Sequence, residues 1–290
     1  MDDSPDHPEH RRRQRANEDD DEDDVGTSAP TKEPFSPSLT STVITSSFSH
    51  SNMSTSSRKN APFIVGFAGG TGSGKTSVCE KILNDFRYNK NVVIISLDSF
   101  YNVLNEEEHE KAVQSNFDFD VPSAFDWPLL KHVLRNLRRN PPKTVRIPTY
   151  DFCTHARTPE TTDLYAVDII LLEGILALHD PKVRNMLDMK VFVETDSDTC
   201  LARRIRRDIK HRGRDLEGVL SQYERFVKPA FDLYVQPQKK FADIVLPRGV
   251  ENIVGVSLLS DNIRIRLESM GKSTQLQPGR GLRGQYGKVR

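Results

Sequence analysis

Gly69-Gly70-Thr71-Gly72-Ser73-Gly74-Lys75-Thr76 meets the pattern G-x-x-x-x-G-K-[ST] at every fixed position. An apolar run, Phe63-Ile64-Val65-Gly66-Phe67-Ala68, precedes it, and residues 77–86 follow with helical spacing. This order predicts a strand, a phosphate-cradling loop and a helix. Glycines let successive backbone N–H groups turn inward around a phosphate, and the helix adds the positive end of its dipole. Lys75 can then reach the β/γ-phosphates, and the Thr76 hydroxyl can hold Mg²⁺. The expected ligand is a nucleoside triphosphate. The loop by itself does not separate a kinase from a GTPase.

Working outward, short apolar runs recur at residues 64–68, 92–97, 167–172, 191–193 and 244–246. Runs without polar alternation suit strands buried on both faces of a parallel sheet. Between them lie helical stripes: Val78, Ile82, Leu83 and Phe86; Leu129, Val133 and Leu137; Leu201, Ile205 and Ile209. Strands alternating with helices predict βαβ units. The expected fold is α/β, a P-loop NTPase-like parallel sheet flanked by helices. Residues 61–268 are its domain.

Ligands in open α/β sheets gather at the carboxyl ends of strands. Asp98 follows the run at 92–97, and Glu173 closes the run at 167–172. Each is either a helix cap or loop acid, or part of the active site. Glu173 fits the metal side, and Asp98 fits a base that takes a proton from an attacking hydroxyl.

Residues 201–214 carry Arg203, Arg204, Arg206, Arg207, Arg212 and Arg214. One reading is a solvated helix whose arginines pair with Asp196, Asp198 and Asp208. The favoured reading is an Arg-rich lid helix that brings positive charge onto a transferring phosphoryl group and excludes water. A third cluster mixes aromatics with polar groups: Phe117-Asp118-Phe119-Asp120-Val121-Pro122 and Ile147-Pro148-Thr149-Tyr150-Asp151-Phe152, followed by His155. It is either core or a pocket for a base and a ribose.

Composition sets outer bounds. The chain has 290 residues, with 41 Lys+Arg balancing 41 Asp+Glu, so no global charge points to nucleic acid or an anionic membrane. Cys79, Cys153 and Cys200 are too scattered for a disulfide framework or a zinc site. No apolar run approaches the roughly 18 residues that span a bilayer. The N-terminus lacks the apolar core of a secretory signal, so a soluble, cytoplasmic protein is expected. Residues 1–60 combine an arginine cluster (Arg11, Arg12, Arg13, Arg15), an acidic run at 18–24 and a Ser/Thr/Pro-rich tract. This arm is expected to be disordered. Its arginines are the one hint of a nuclear address, though a solvated charge run is the favoured reading. Residues 269–290 read as a flexible basic tail.

Taken together, the motifs resemble the uridine–cytidine kinase (uridine kinase) family of P-loop nucleoside kinases. The likeness is carried by residues 69–77, Asp98-Ser99-Phe100-Tyr101, Phe119-Asp120, Ala124-Phe125-Asp126 and Ile147-Pro148-Thr149-Tyr150-Asp151-Phe152. It continues through His155-Ala156-Arg157, Glu173-Gly174-Ile175-Leu176, Arg212-Gly213-Arg214-Asp215, Gln222-Tyr223, residues 226–231 and Pro247-Arg248-Gly249. It spans roughly residues 62–267 in order.

The resemblance implies pyrimidine salvage: transfer of the ATP γ-phosphoryl group to the 5′-hydroxyl of uridine or cytidine, with GTP as an alternative donor. It implies Asp98 as general base, with Lys75, Arg207 and Arg212 facing the phosphates. Residues Gly69, Gly70, Thr71, Gly72, Ser73, Gly74, Lys75, Thr76 and Ser77 form the nucleotide loop, and Thr76 and Glu173 the Mg²⁺ side. Asp120 and Arg204 would hold the ribose hydroxyls. Tyr150 and His155 would read the pyrimidine beside Phe152, with Arg214 and Gln222 also on the substrate side. A homotetramer restrained by CTP or UTP is implied as well. Val121 and Ser123 stand where the family often has His and Asp, two additional residues lie between Asp120 and Tyr150, and Glu251 replaces an Asp near the nucleotide base. Some longer relatives carry a fused phosphoribosyltransferase; this chain is expected to lack one.

Overall fold

A computed structural model describes residues 61–86 and 92–271. The N-terminal arm and all but the first residues of the basic tail lie outside the described residues.

The apolar runs become a five-stranded parallel sheet: β1 (Phe63–Ala68), β2 (Val92–Ser96), β5 (Ile169–Glu173), β6 (Met189–Glu194) and β7 (Ile244–Pro247). Their order is β2-β5-β1-β6-β7, which puts the strand before the loop in the centre. β5 is buried along its whole length, as a strand covered on both faces requires. On one face, Val78 and Ile82 of α1 (Lys75–Asp85) join Leu259, Ile263 and Leu267 of α8 (Ile253–Ser269) against Phe67, Leu171 and Val191. On the other, Leu130, Val133, Leu134 and Leu137 of α3 (Trp127–Leu137) meet Ile64, Ile170 and Phe192.

An antiparallel hairpin stands apart from this sheet, made of β3 (Val145–Asp151) and β4 (Ala156–Leu164). The sequence signals no partner strand for Ile147 to Phe152. β4 has no buried residue and carries Thr158-Pro159-Glu160-Thr161-Thr162, so it lacks the apolar signal of a core strand.

α2 (Glu106–Val113) starts from a capping box between Asn105 and Glu108. A short α4 (Pro181–Arg184) precedes β6, and α5 (Ser197–Arg212) follows it. Gly213, in the left-handed conformation at φ 65°, ends α5 and turns the chain into α6 (Leu216–Gln222). Two π-helical segments, Tyr223–Val227 and Phe231–Val235, flank the single turn α7 (Lys228–Ala230).

α5 corrects one expectation. Leu201 and Ile205 are only half-buried and Ile209 is exposed, while Cys200, Arg204 and Asp208 form the buried face. The apolar stripe is therefore not the packing face. The buried charges pair with one another, Arg204 and Asp208 lying 3.7 Å apart, which offsets the cost of burying them.

Candidate active site

The loop between β1 and α1 is shaped by positions that only glycine fills. Gly72 has φ 74°, and a Cβ there would lie 2.3 Å from the Cys200 carbonyl oxygen; at Gly69 it would lie 2.3 Å from that of Val193. Lys75, 7% exposed, curls back to donate to the Gly70 carbonyl at 3.0 Å. Thr76 and Ser77 face outward from the first turn of α1.

Beside this loop lies a cleft lined by Thr71, Lys75, Thr76, Asp98, Glu173 and Arg207, with Arg204 and Arg212 closing it. Asp98 arrives from the tight turn after β2, and Glu173 from the end of β5. Ser96 links them: its hydroxyl donates to Glu173 Oε1 at 2.8 Å and accepts from the Asp98 N–H at 3.3 Å. Ser96 carries no motif and was missed in the sequence.

The cleft adjoins a second cavity lined by Tyr101, Phe119, Asp120, Tyr150, Phe152, His155, Arg214 and Gln222. Asp120, Tyr101, Phe152, Arg204 and Arg212 border both. Aromatic rings build the walls. Phe119 stacks on His155 with centroids 5.1 Å apart, Tyr101 lies 5.0 Å from Tyr150, and the Arg212 guanidinium sits 3.8 Å over Phe152. The Tyr150 hydroxyl is buried with no partner among the described residues, so it is free to bond a group in the cavity. Tyr101 and Ile175 join the lining although the sequence gives them no role, and Phe119 lines the pocket that was one of two readings of its cluster.

Arg207 and Arg204 each reach Thr71 Oγ1 at 3.3 Å, so α5 leans over the loop as a lid would. Arg206 faces solvent. Asp196 and Asp198 stay at the start of α5, and the arginines pair with Asp208 instead. Glu251 is not in either cavity. It forms an exposed ion pair with Arg203 at 2.5 Å, beside Gly249, which packs on the outer side of the loop. A larger cavity of about 430 Å³ lies between Gly70, Ser73, Thr195, Phe231 and Val235. We place the chemistry in the narrower cleft because Lys75, Asp98 and Glu173 converge there.

The model sequence of the phosphoribulokinase / uridine kinase family matches residues 64–255. The chain belongs to this family. Within it, the chain is 50% identical over 225 residues to uridine-cytidine kinase B of Dictyostelium discoideum, covering 77% of this chain and 90% of that one. It is 48% identical over 209 residues to uridine-cytidine kinase 2-B of Danio rerio, covering 70% and 79%. A solved structure from Silicibacter, of a kinase assigned to a fructose transport system, aligns with a TM-score of 0.52 at 16% identity over 64% of this chain and 90% of that one. That likeness concerns the fold alone.

In this phosphoribulokinase / uridine kinase family site, burial dominates the electrostatics. It pushes the Asp98 carboxyl up, against the pull of Lys75, Arg212 and Arg207. Glu173 is also raised, by burial and by the charge of Asp98. Lys75 is lowered by burial although both acids favour its charged form. Asp120 is pushed up to about 6 by burial, with Arg204 opposing. His155 is held down to about 4 by burial and the Arg214 charge, so it is neutral at physiological pH.

P-loop kinases of this type use ATP and Mg²⁺. Among the described residues no group of three or more His, Cys, Asp or Glu could hold a metal. The cleft offers the Glu173 carboxylate next to the Thr76 hydroxyl, with Asp98 lining the same space. That donor set fits Mg²⁺, which retains waters and takes phosphate oxygens rather than a full protein cage.

Proposed function

We propose that this chain is an ATP-dependent pyrimidine nucleoside kinase that phosphorylates the 5′-hydroxyl of uridine or cytidine to give UMP or CMP. One observation carries the reading: the cleft that gathers Lys75, Asp98 and Glu173 opens through Asp120 and Arg204 into an aromatic cavity with Tyr150 and His155. A phosphate loop, a base and a ring-sized aromatic wall thus share one lining. The names of the two uridine-cytidine kinase relatives support the same substrate class.

Asp120 and Arg204, which line the same space, hold the ribose hydroxyls, Asp120 as acceptor and Arg204 as donor. Tyr150 and His155 bond the edge of the pyrimidine, while Phe152 and Phe119 pack against its faces. Asp98 takes the 5′-hydroxyl proton as the oxygen forms its bond to the γ-phosphorus and the bond to the ADP oxygen breaks. Lys75, Arg207 and Arg212 bear the charge that spreads over the transferring group. Thr76 and Glu173 would hold Mg²⁺, which when bound neutralises β- and γ-phosphate oxygens. Gly69 to Ser77 hold the triphosphate, and the family resemblance assigns Glu251 to the neighbourhood of the nucleotide base.

GTP as an alternative donor, feedback by CTP or UTP, a homotetramer and a cytoplasmic location belong to the same proposal. Among the described residues no helix is long and apolar enough to cross a membrane. Exposed Val254, Leu258 and Ile265 on α8 give an apolar face that subunit contact would cover. An acceptor panel tests the substrate class. Uridine and cytidine should drive ADP formation, and a sugar phosphate should not. A preference for the sugar phosphate would move the chain to another branch of its family.

A further inference from the structure

Asp208 has no exposed surface, yet four guanidinium groups surround it. Its two oxygens divide them. Oδ1 accepts from Arg207 Nε at 2.8 Å and lies 3.3 Å from Arg212 Nη1. Oδ2 accepts from Arg214 Nη1 at 3.3 Å and lies 3.7 Å from Arg204 Nε. Arg207 lines only the phosphate cleft and Arg214 only the aromatic cavity, whereas Arg204 and Arg212 line both.

Local structure produces this arrangement. Arg204 and Arg212 lie one helical turn to either side of Asp208 on the same face of α5. Gly213, left-handed at φ 65°, folds the chain back so that the Arg214 N–H donates to the Asp208 carbonyl at 3.2 Å. The network then runs on at both ends. Arg207 Nη2 reaches Thr71 Oγ1 in the phosphate loop, and Arg214 Nη1 and Arg204 Nη2 both donate to Gln222 Oε1 at 2.7 Å.

We infer that Asp208 is a positioning residue that couples the two halves of the site, so that filling the phosphate loop prepares the acceptor cavity. This rests on the nucleoside kinase reading. Asp208 is the carboxylate in contact with all four guanidiniums, Asp98 and Asp120 acting on them from farther off, and a polyphosphate beside Arg207 adds an anion to the cluster. Arg207 then shares its charge with the phosphates, and Asp208 is left more fully to Arg214 and Arg204. In a buried site such a redistribution is not damped by water, because unpaired guanidiniums there are costly. The sign is positive: nucleotide tightens nucleoside. By linkage, nucleoside tightens nucleotide by the same factor.

The test is calorimetric titration of uridine into the full chain, alone and saturated with Mg²⁺ and a non-hydrolysable ATP analogue. In the unmodified protein the analogue should tighten uridine by at least about fivefold, the lower end of ordinary coupling between sites. Asp208→Asn should still bind each ligand separately, with the ratio reduced to less than about twofold, and Asp208→Glu should restore part of it. A purely structural role would lower the melting temperature and both affinities but leave the ratio intact. Should Asp208→Asn fail to fold, Arg207→Ala probes the same link from its half-buried end and should also reduce the ratio. A ratio of one in the unmodified protein, or an undiminished ratio in either folded variant, overturns the inference. If neither uridine nor cytidine binds under any condition, the kinase reading fails and the coupling with it.

Discussion

The Ser96 hydroxyl donates to Glu173 Oε1 at 2.8 Å across the register pair that joins β2 to β5, and accepts the Asp98 N–H at 3.3 Å. One small side chain therefore holds the Glu173 carboxylate and the backbone that carries Asp98. Ser96→Ala should lower kcat by about two- to thirteenfold, the loss expected for one hydrogen bond of net about 0.5–1.5 kcal/mol. A steady-state assay at saturating substrates checks this. Unchanged turnover would mean that neither acid depends on that hydroxyl.

Asp98→Asn keeps the shape of the side chain and removes the base. Turnover should fall by at least about a hundredfold, the low end for general-base catalysis, while ATP affinity is preserved. Near-normal turnover takes Asp98 out of the role.

The acid limb of nucleoside binding should belong to Asp120. Its carboxyl is pushed up to about 6 by burial, and only the ionised form accepts from both ribose hydroxyls. Affinity should therefore be full above that value and decline as pH falls through about 6. His155, held near 4, stays neutral across the same window and adds no limb there. Uridine affinity measured from pH 5 to 8 should lose its slope in Asp120→Asn and keep it in His155→Asn. The reverse pattern would exchange the two assignments.

Glu251 should matter little. Its carboxylate is 64% exposed in the pair with Arg203, and exposed pairs contribute at most about 1 kcal/mol. Glu251→Ala should shift the KM for ATP by less than about fivefold. A larger shift would give this glutamate a direct hold on the nucleotide.

The sheet was legible in the sequence because its strands are buried on both faces, so Ile169-Ile170-Leu171-Leu172 reads as an unbroken apolar run. The phosphate loop was legible because backbone geometry forces glycine at Gly69 and Gly72. Asp98 and Glu173 stood out as acids at strand ends. The α5 face was misread for a physical reason: Cys200, Arg204 and Asp208 recur at the same four-residue step as Leu201, Ile205 and Ile209. Periodicity locates a stripe but does not say whether mutual pairing makes a charged stripe the buried one. β4 escaped because exposed Thr and Glu residues leave no alternation to detect.

The most direct measurement is product formation by the purified chain with MgATP and uridine or cytidine. UMP or CMP should form in one-to-one ratio with ADP, with negligible ADP in the absence of nucleoside. A folded, ATP-binding protein that releases ADP at the same slow rate with or without nucleoside, and makes no monophosphate, would contradict it.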